Sequence, residues 1–303
     1  MNEKDTTNRV KNHYKAVAVS YHEQYDPELL RVIERPYPAN YFRLEKLLKS
    51  FGENNVRRAL EVGIGDGTPL AAVARLNIDV WGFDFTEEMV TKAQETIKSV
   101  GGDPSQLFVA DIQDPQTFAD KLPEGGFDGV IAMGVMPHVE SDKDVLENIT
   151  KLVQPGGRVF IEFRNKLFSL FTFNRKSVEF ILDDLLPEVG NDLRDLVRDD
   201  LSSRLRMDVP PVREKVTGSE APGYDTIRSR FHNPFEVKDI FRSMGYDQID
   251  LHWYHYHPAI PYLEDVLPQK FREEAIAMEH EESGWRGYFL ASAFIIEAVK
   301  SNN

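Results

Sequence analysis

Five short apolar segments recur between residues 58 and 163, and stretches with helical periodicity separate them. Segments of this length that alternate with amphipathic helices are typical of βαβ units, whose parallel strands are covered on both faces. The pattern therefore predicts an α/β fold built on a parallel sheet. The predicted strands are Arg58–Val62, Val80–Phe85, Leu107–Asp111, Phe127–Met133 and Arg158–Phe163.

Helix signals lie between these strands. Thr86 is a candidate N-cap for a helix whose apolar stripe includes Val90, Ala93 and Ile97. Asp142 is a candidate N-cap for the helix before the fifth strand, and a Pro-Gly-Gly sequence ends that helix. Each helix is long enough to connect two parallel strands.

Outside this region, helices are predicted over Val10–Tyr25, Tyr41–Phe51 and around Leu267–Glu282, and strands over Gln248–His257 and Gly287–Val299. The stretch between the two halves is acidic and helical at first and then rich in proline and glycine, which is typical of a surface insertion. The pattern thus divides the chain into an N-terminal helical cap (1–57), a core (58–165), a helical and loop insertion that acts as a lid (166–232) and a C-terminal part of the core sheet (233–303).

Composition narrows the possible partners. The chain has 303 residues and a formal net charge of −14, and because such a chain repels phosphate backbones, no nucleic acid is expected. It has no cysteine, which excludes thiolate nucleophiles and cysteine metal sites. The polar first residues do not resemble a secretory signal, and the most apolar segment is too short to cross a bilayer. We therefore expect a cytoplasmic protein that binds no membrane, and a homodimer stays open.

A glycine-rich turn follows the first predicted strand. Gly63, Gly65 and Gly67 let the backbone approach a ligand, which then meets the free N–H groups at the start of the next helix. The G-x-G-x-G spacing departs from the G-x-G-x-x-G of dinucleotide-binding proteins. Asp84 follows Gly63 by 21 residues and can accept hydrogen bonds from both hydroxyls of a ribose, while Asp111 can accept one from an adenine amine.

With these features, residues from about 58 to 165 resemble the core of class I S-adenosylmethionine-dependent methyltransferases. Their first motif is matched by Glu61, Gly63, Gly65 and Gly67, and their acids after the second and third strands by Asp84 and Asp111. The resemblance implies a Rossmann-like, seven-stranded, mostly parallel sheet with helices on both faces, closed by an antiparallel hairpin. It also implies S-adenosylmethionine as the cofactor and a small molecule as the acceptor.

The same resemblance implies roles for residues around the cofactor. Tyr14 and Tyr21 resemble an aromatic segment that covers the cofactor, where a tyrosine face attracts the sulfonium; the alternative is that they pack a helix onto the sheet. Tyr14 is also a candidate for contact with the acceptor. The full cofactor-binding set comprises Tyr21, Glu61, Gly63, Gly65, Gly67, Asp84, Phe85, Met89, Asp111, Ile112 and Met133.

Methyl transfer to a hydroxyl or an ammonium group requires a base, and two residues are candidates. His138 follows the fourth strand, at the edge where ligands bind, and acts as a base or an orienting donor unless it merely caps a helix. Glu162 and Arg164 end the fifth strand. Either they pair with each other, or Glu162 takes part in catalysis while Arg164 binds a carboxylate or phosphate of the acceptor.

Three histidines near the C-terminus are further candidates. On a regular strand His255 and His257 share a face with Trp253, and alternation with aromatic residues favours a substrate-cavity wall over a metal site, so no metal is expected. His255 and His232 are therefore candidate substrate contacts, with a plain turn as the alternative for His232. Five arginines leave room for an anionic acceptor or simply pair with nearby acids: Arg204, Arg206, Arg213, Arg228 and Arg230.

We therefore expect a methyltransferase that modifies an oxygen or nitrogen of a small polar metabolite, with sugar-type or natural-product acceptors favoured. Two alternatives remain at this point. One is an NAD(P)-dependent oxidoreductase, which needs a later third glycine and a hydride-site set that the sequence lacks. The other is a cofactor-binding interaction protein without turnover.

Overall fold

A seven-stranded sheet forms the centre of the protein in the computed structural model, which describes residues 3–17, 21–205, 214–280 and 284–302. The strands are β1 (Arg58–Val62), β2 (Asp79–Asp84), β3 (Leu107–Val109), β4 (Phe127–Ala132), β5 (Val153–Arg164), β6 (Tyr246–Tyr256) and β7 (Ala291–Lys300). Their order across the sheet is β3-β2-β1-β4-β5-β7-β6. β1 to β5 pair in parallel, and β7 runs antiparallel to both β5 and β6. The predicted α/β fold and its antiparallel closure are confirmed.

Helices cover both faces of the sheet, as predicted. The α-helices are α1 (Glu3–Val17), α2 (Asn40–Glu53), α3 (Thr68–Ala74), α4 (Glu87–Ser99), α5 (Asp142–Leu152), α6 (Phe168–Thr172), α7 (Arg175–Phe180), α8 (Asn191–Arg204), α9 (Pro234–Ser243), α10 (Pro268–Glu279) and α11 (Gly287–Leu290). Leu47 of α2, Leu70 of α3 and Ala93 of α4 are buried in one core cluster, and Ile149 of α5 and Phe241 of α9 in the other. A fully buried side chain of this kind contributes about 1.5–3 kcal/mol, so the two apolar layers hold the strand ends in place.

Four local predictions are wrong. The Pro-Gly-Gly sequence does not end the helix before the fifth strand, because α5 ends at Leu152 and these three residues lie inside β5. The helix predicted over Val10–Tyr25 is two elements, α1 and a separate 3₁₀ turn over Tyr21–Tyr25. The N-cap of α5 is Ser141, whose hydroxyl accepts a hydrogen bond from the Asp144 N–H at 3.3 Å, rather than Asp142. The first residues of the strand predicted over Gly287–Val299 form the short helix α11, where Gly287 lies against the Trp253 ring.

The end of the predicted insertion returns to the carboxyl edge of the sheet. His232 forms a parallel bridge with Asn165, directly after β5, and its N–H donates to the Arg164 carbonyl at 2.7 Å. The Arg230 N–H donates to the Pro137 carbonyl at 2.9 Å. These bonds place the stretch from residue 224 to residue 232 beside the ends of β4 and β5. In the part of the chain described, no helix combines the length and apolar character needed to cross a membrane.

Candidate functional site

The glycine turn between β1 and α3 is shaped by close approaches of the backbone. Gly67 has a φ of +79°, and a Cβ there would lie 2.9 Å from the Ala93 Cα, so the packing of α3 on α4 requires glycine. Gly65, with a φ of +52°, faces the Tyr21 ring, which lies 3.3 Å from where its Cβ would be. The turn thereby opens its backbone toward the carboxyl edge of the sheet.

Asp84 ends β2 beside this turn, and backbone donors hold its carboxylate. One oxygen accepts from the Gly65 N–H at 3.2 Å and the other from the Thr86 N–H at 2.9 Å. Burial nevertheless raises the pKa of Asp84 to about 6, because its charged form has lost most of its contact with water. The side chain is ionised at neutral pH and ready to accept further donors from a ligand.

A cavity opens over the turn, and we call it the glycine cavity. Nine of the eleven residues predicted to hold the cofactor line it: Tyr21, Gly63, Gly65, Asp84, Phe85, Met89, Asp111, Ile112 and Met133. Gly67 does not line it and serves helix packing instead. Glu61 is buried away from the lining, and burial holds the pKa of its carboxyl well above the usual range.

Helix α1 roofs the glycine cavity. The family resemblance led us to expect such a cover at Tyr14, whereas Thr7 and Val10 were not singled out from the sequence. Thr7, Val10 and Tyr14 of this helix line the cavity. The Lys11 ammonium lies 5.2 Å from the centre of the Phe85 ring, and Lys15 forms an ion pair with Glu88 of α4. Surface contacts of this kind are weak, so α1 is held mainly by the apolar and aromatic side chains beneath it.

A second cavity, of about 520 Å³, adjoins the first, and we call it the tyrosine cavity. Five tyrosines line it: Tyr14, Tyr21, Tyr37, Tyr224 and Tyr254. Four residues line both cavities and so mark their boundary: Tyr14, Tyr21, Gly134 and His138. The predicted catalytic residue Glu162 lines the tyrosine cavity together with the predicted acceptor residues Arg164 and His255, whereas His232 lines neither cavity. Tyr37, Tyr224 and Tyr254 were not singled out from the sequence, because only the fold brings them together.

His138 forms a defined hydrogen-bond chain at the boundary. Its Nδ1 lies 2.6 Å from the Arg228 carbonyl oxygen, which can only accept, so Nδ1 carries the hydrogen of the neutral ring. Nε2 then carries no hydrogen and accepts a hydrogen bond from the Tyr14 hydroxyl at 2.8 Å. Burial lowers the pKa of His138 to about 4, while burial raises that of Tyr14, so both side chains are neutral at physiological pH.

Glu162 is paired, but not with Arg164. Its carboxylate forms a buried ion pair with Arg43 of α2, which also donates to the Tyr25 hydroxyl. Although burial opposes ionisation, Arg43 and then Arg164 hold the pKa of Glu162 below the usual range, with a hydrogen bond from Tyr254 assisting. The expectation that Glu162 and Arg164 either pair together or both meet the acceptor thus missed a third arrangement. The sequence analysis did not single out Arg43; it showed only that Glu162, an acid on a predicted buried strand, required a partner of opposite charge.

Arg164 lines the tyrosine cavity without a carboxylate partner among the described residues. Its guanidinium carbon lies 4.6 Å from the centre of the Tyr224 ring, and its buried Nε has no hydrogen-bond partner. Three of the five arginines noted in the insertion do form ion pairs: Arg204 with Asp200, Arg228 with Glu140 and Arg230 with Asp142. Arg206 and Arg213 lie outside the described residues.

The two remaining histidine candidates have different surroundings. His232 is buried against the Phe163 ring and lies 3.3 Å from the Asp142 carboxylate. His255 has a φ of +58°, which breaks the regular alternation of β6. The regular strand assumed in the sequence analysis is therefore wrong at this point, since Tyr254 and Tyr256, two residues apart, pack into opposite cores. The described residues hold no group of three or more acidic or histidine side chains that could bind a metal ion.

Comparison with known proteins gives a consistent family of relatives. Residues 60–159 match the model of a family described as a methyltransferase domain. A ubiquinone biosynthesis O-methyltransferase from Methylococcus capsulatus is 30% identical over 177 residues, which are 58% of this chain and 70% of that protein. A protein of the same name from Pseudomonas aeruginosa is 28% identical over 144 residues, which are 47% of this chain and 59% of its own length.

Two solved structures share the fold along nearly the whole chain. Magnesium protoporphyrin IX methyltransferase from Synechocystis, with bound S-adenosylmethionine, is 12% identical with a TM-score of 0.53, and the match covers 99% of this chain and 98% of that one. Phosphoethanolamine N-methyltransferase 2 from Haemonchus contortus, in complex with the same molecule, is 14% identical with a TM-score of 0.51, covering 99% and 60%. At these identities the likeness concerns the fold.

Proposed function

The chain belongs to the class I S-adenosylmethionine-dependent methyltransferases, and from that premise we propose that it methylates a hydroxyl oxygen of a small acceptor bound in the tyrosine cavity. Family membership makes the protein an enzyme with S-adenosylmethionine as its cofactor. It also excludes the two alternatives that the sequence left open, a nicotinamide-dependent oxidoreductase and a cofactor-binding interaction protein.

The glycine cavity fits this cofactor. Asp84 would accept the ribose hydroxyls, since it is a buried carboxylate whose raised pKa reflects missing donors. Phe85 and Met89 would pack against the adenine, and Asp111 and Ile112 would lie at its edge. When bound, S-adenosylmethionine supplies a methyl carbon on a positively charged sulfur, which leaves as a neutral thioether when an acceptor atom attacks.

An oxygen acceptor is favoured over a nitrogen acceptor by two observations. The curated relatives are named O-methyltransferases, and that name belongs to them rather than to this chain. Independently, the boundary of the two cavities holds a proton acceptor, His138, whose Nε2 is free of hydrogen. A neutral amine would not need such a group, whereas a hydroxyl loses its proton during the transfer. The sugar-type and natural-product acceptors expected from the sequence find no support in the names of these relatives.

The observation that carries the proposal is the hydrogen bond between the Tyr14 hydroxyl and His138 Nε2, at the junction of the cavities. As the acceptor oxygen gains its methyl group, its proton passes to His138 Nε2, directly or through the Tyr14 hydroxyl. A base with a pKa of about 4 is sufficient, because a methylated, still protonated oxygen is a far stronger acid. The Arg228 carbonyl then stabilises the imidazolium by holding Nδ1–H.

Removing His138 tests this assignment. We expect His138→Ala to lower kcat by about 10²–10⁴-fold, the range for loss of a general base, while the affinity for S-adenosylhomocysteine stays within a few-fold of the original. Tyr14→Phe is expected to lower kcat less, because Nε2 remains available. Calorimetric titration with S-adenosylhomocysteine and a methyl-transfer assay on a hydroxylated acceptor measure the two quantities separately.

An exposed histidine provides the matched control. His22→Ala alters a ring on the 3₁₀ turn that lines neither cavity, so kcat should not change. Full activity of His138→Ala would remove His138 from the reaction. Equal losses in both variants would show that the effect is not specific to the boundary histidine.

A further inference from the structure

Arg164 is a half-buried cation that forms no ion pair of its own with the described residues. Nearby arginines are different: Arg43 pairs with Glu162, Arg228 with Glu140 and Arg230 with Asp142. The Nε of Arg164 has no hydrogen-bond partner, and its guanidinium rests on the Tyr224 ring inside the tyrosine cavity. The charge of this side chain is therefore available to a ligand.

The carboxylate of the described lining that acts on Arg164 is Glu162, which forms its ion pair with Arg43, so these three side chains together carry a net positive charge. The acid at the mouth, Glu23, is engaged by Arg35. Three tyrosines of the lining, Tyr14, Tyr21 and Tyr254, keep their protons because loss of contact with water raises the pKa of each. The histidines His138 and His255 stay neutral because the same loss lowers the pKa of each.

An arginine keeps its proton even when it is removed from water, and a half-buried charge that is compensated only in part favours an anionic ligand. A carboxylate or a phosphate group matches the planar fork of its N–H donors. The five tyrosines of the lining suit a flat, aromatic ligand body, since ring pairs add to the area that they bury. The cavity therefore combines an anion anchor with aromatic walls.

Building on the proposed function, we propose that the acceptor is an aromatic anion, whose carboxylate or phosphate group pairs with Arg164 while its hydroxyl group faces His138. Arg164 thus selects the acceptor rather than taking part in the proton transfer. Acceptors with a carboxylate and acceptors with a phosphate both present an anionic group on an aromatic ring.

The test measures the affinity of three ring compounds for the protein saturated with S-adenosylhomocysteine. Benzoate and phenyl phosphate carry the two kinds of anion, and benzamide is the neutral match of benzoate. We expect at least one anion to bind about tenfold more tightly than benzamide, and the stronger of the two identifies the group. Arg164→Gln should abolish this preference, whereas Arg164→Lys should retain part of it. Arg230→Gln, which removes an equal charge outside both cavities, should leave it unchanged.

Two results would overturn the inference: benzamide binding the unaltered protein as tightly as both anions, or Arg164→Gln keeping the full preference. The first comparison uses no variant, so the inference stays testable even where a substitution impairs folding. Binding of S-adenosylhomocysteine without any anion preference would refute the aromatic anion but leave the proposed methyl transfer standing. The role of His138 in the proposed methyl transfer is tested separately, since an unchanged kcat in His138→Ala would refute it.

Discussion

At the residue scale, Asp84 is a buried carboxylate that stays ionised at neutral pH although burial disfavours its charged form. Its two oxygens accept backbone hydrogen bonds, yet burial raises its pKa to about 6. Ribose hydroxyls would add donors to the charged form and lower that pKa. Cofactor binding and ionisation of Asp84 are therefore linked.

We expect Asp84→Asn to weaken S-adenosylhomocysteine binding by about 10–100-fold, the loss typical of a hydrogen bond to a charged group. In the unaltered protein the affinity should fall as the pH drops below about 6, because the free protein then protonates the carboxyl that must accept. The variant should lack that pH dependence. Titration calorimetry between pH 5 and pH 8 measures both effects.

Asp79→Asn is the control, since this acid begins the same strand, is exposed and lies outside the glycine cavity. Its affinity and pH profile should match those of the unaltered protein. An unchanged affinity in Asp84→Asn would contradict the ribose-binding role.

Site residues such as Asp84 can be predicted from the sequence because their positions follow from the order of neighbouring strands and helices along the chain. Asp84 and Asp111 come at strand ends, and parallel strands bring their carboxyl ends to one edge. Sequence order does not reveal Arg43, which lies 119 residues from its partner Glu162, or the Arg228 carbonyl, 90 residues from His138. Nor does it reach the positive φ of His255, where no glycine or proline marks the break.

At the element scale, the buried pair between Arg43 and Glu162 joins α2 to β5. Truncating one member leaves the other charge buried and unpaired, so we expect Glu162→Gln to lower the free energy of unfolding by about 3–5 kcal/mol. Replacing both, as Arg43→Met with Glu162→Leu, removes the unpaired charge and should restore much of that loss. Urea denaturation of the unaltered protein and both variants measures the difference.

The double variant also tests the catalytic role predicted for Glu162. If methyl transfer persists in the restored fold, Glu162 acts through its pairing with Arg43 and not on the acceptor. If stability returns and methyl transfer does not, the catalytic prediction stands. A double variant no more stable than Glu162→Gln would contradict the assignment of the loss to an unpaired charge.

The elements of the sheet could be predicted more fully than those around it. Apolar strands and amphipathic helices carry a periodic signal, and all seven strands were located from it. The roof formed by α1 carries no comparable signal, because Thr7 and Val10 are ordinary helix-surface residues until the sheet edge lies beneath them. Tyr14 and Tyr21 were recognised only through the family resemblance.

At the scale of the whole molecule, buried acids shape the pH dependence of stability. Glu279 is buried at the end of α10, where burial raises its pKa to about 8, and one oxygen accepts from the Tyr256 N–H at 2.9 Å. Its folded-state pKa lies above the ordinary 4.5, so the folded state binds the proton more tightly. The stabilisation is complete below pH 4.5 and is lost as the pH rises through about 8.

We therefore expect the free energy of unfolding to fall between about pH 5 and pH 8, and Glu279→Gln to flatten this slope, because glutamine accepts the same hydrogen bond without a charge. Chemical denaturation at a series of pH values measures it. Glu273→Gln, an exposed change on the same helix, is the control. An unchanged slope in Glu279→Gln would show that other groups govern this pH range.

Helix α1 contributes a wall to both cavities and carries Tyr14, the donor to His138. Under the proposed function, any displacement that lifts this helix would admit water to the glycine cavity and would also move the Tyr14 hydroxyl away from His138. The glycine cavity would then be closed to water only while the hydrogen bond between Tyr14 and His138 is in place. One helix would thus both protect the bound sulfonium from hydrolysis and complete the proposed proton path.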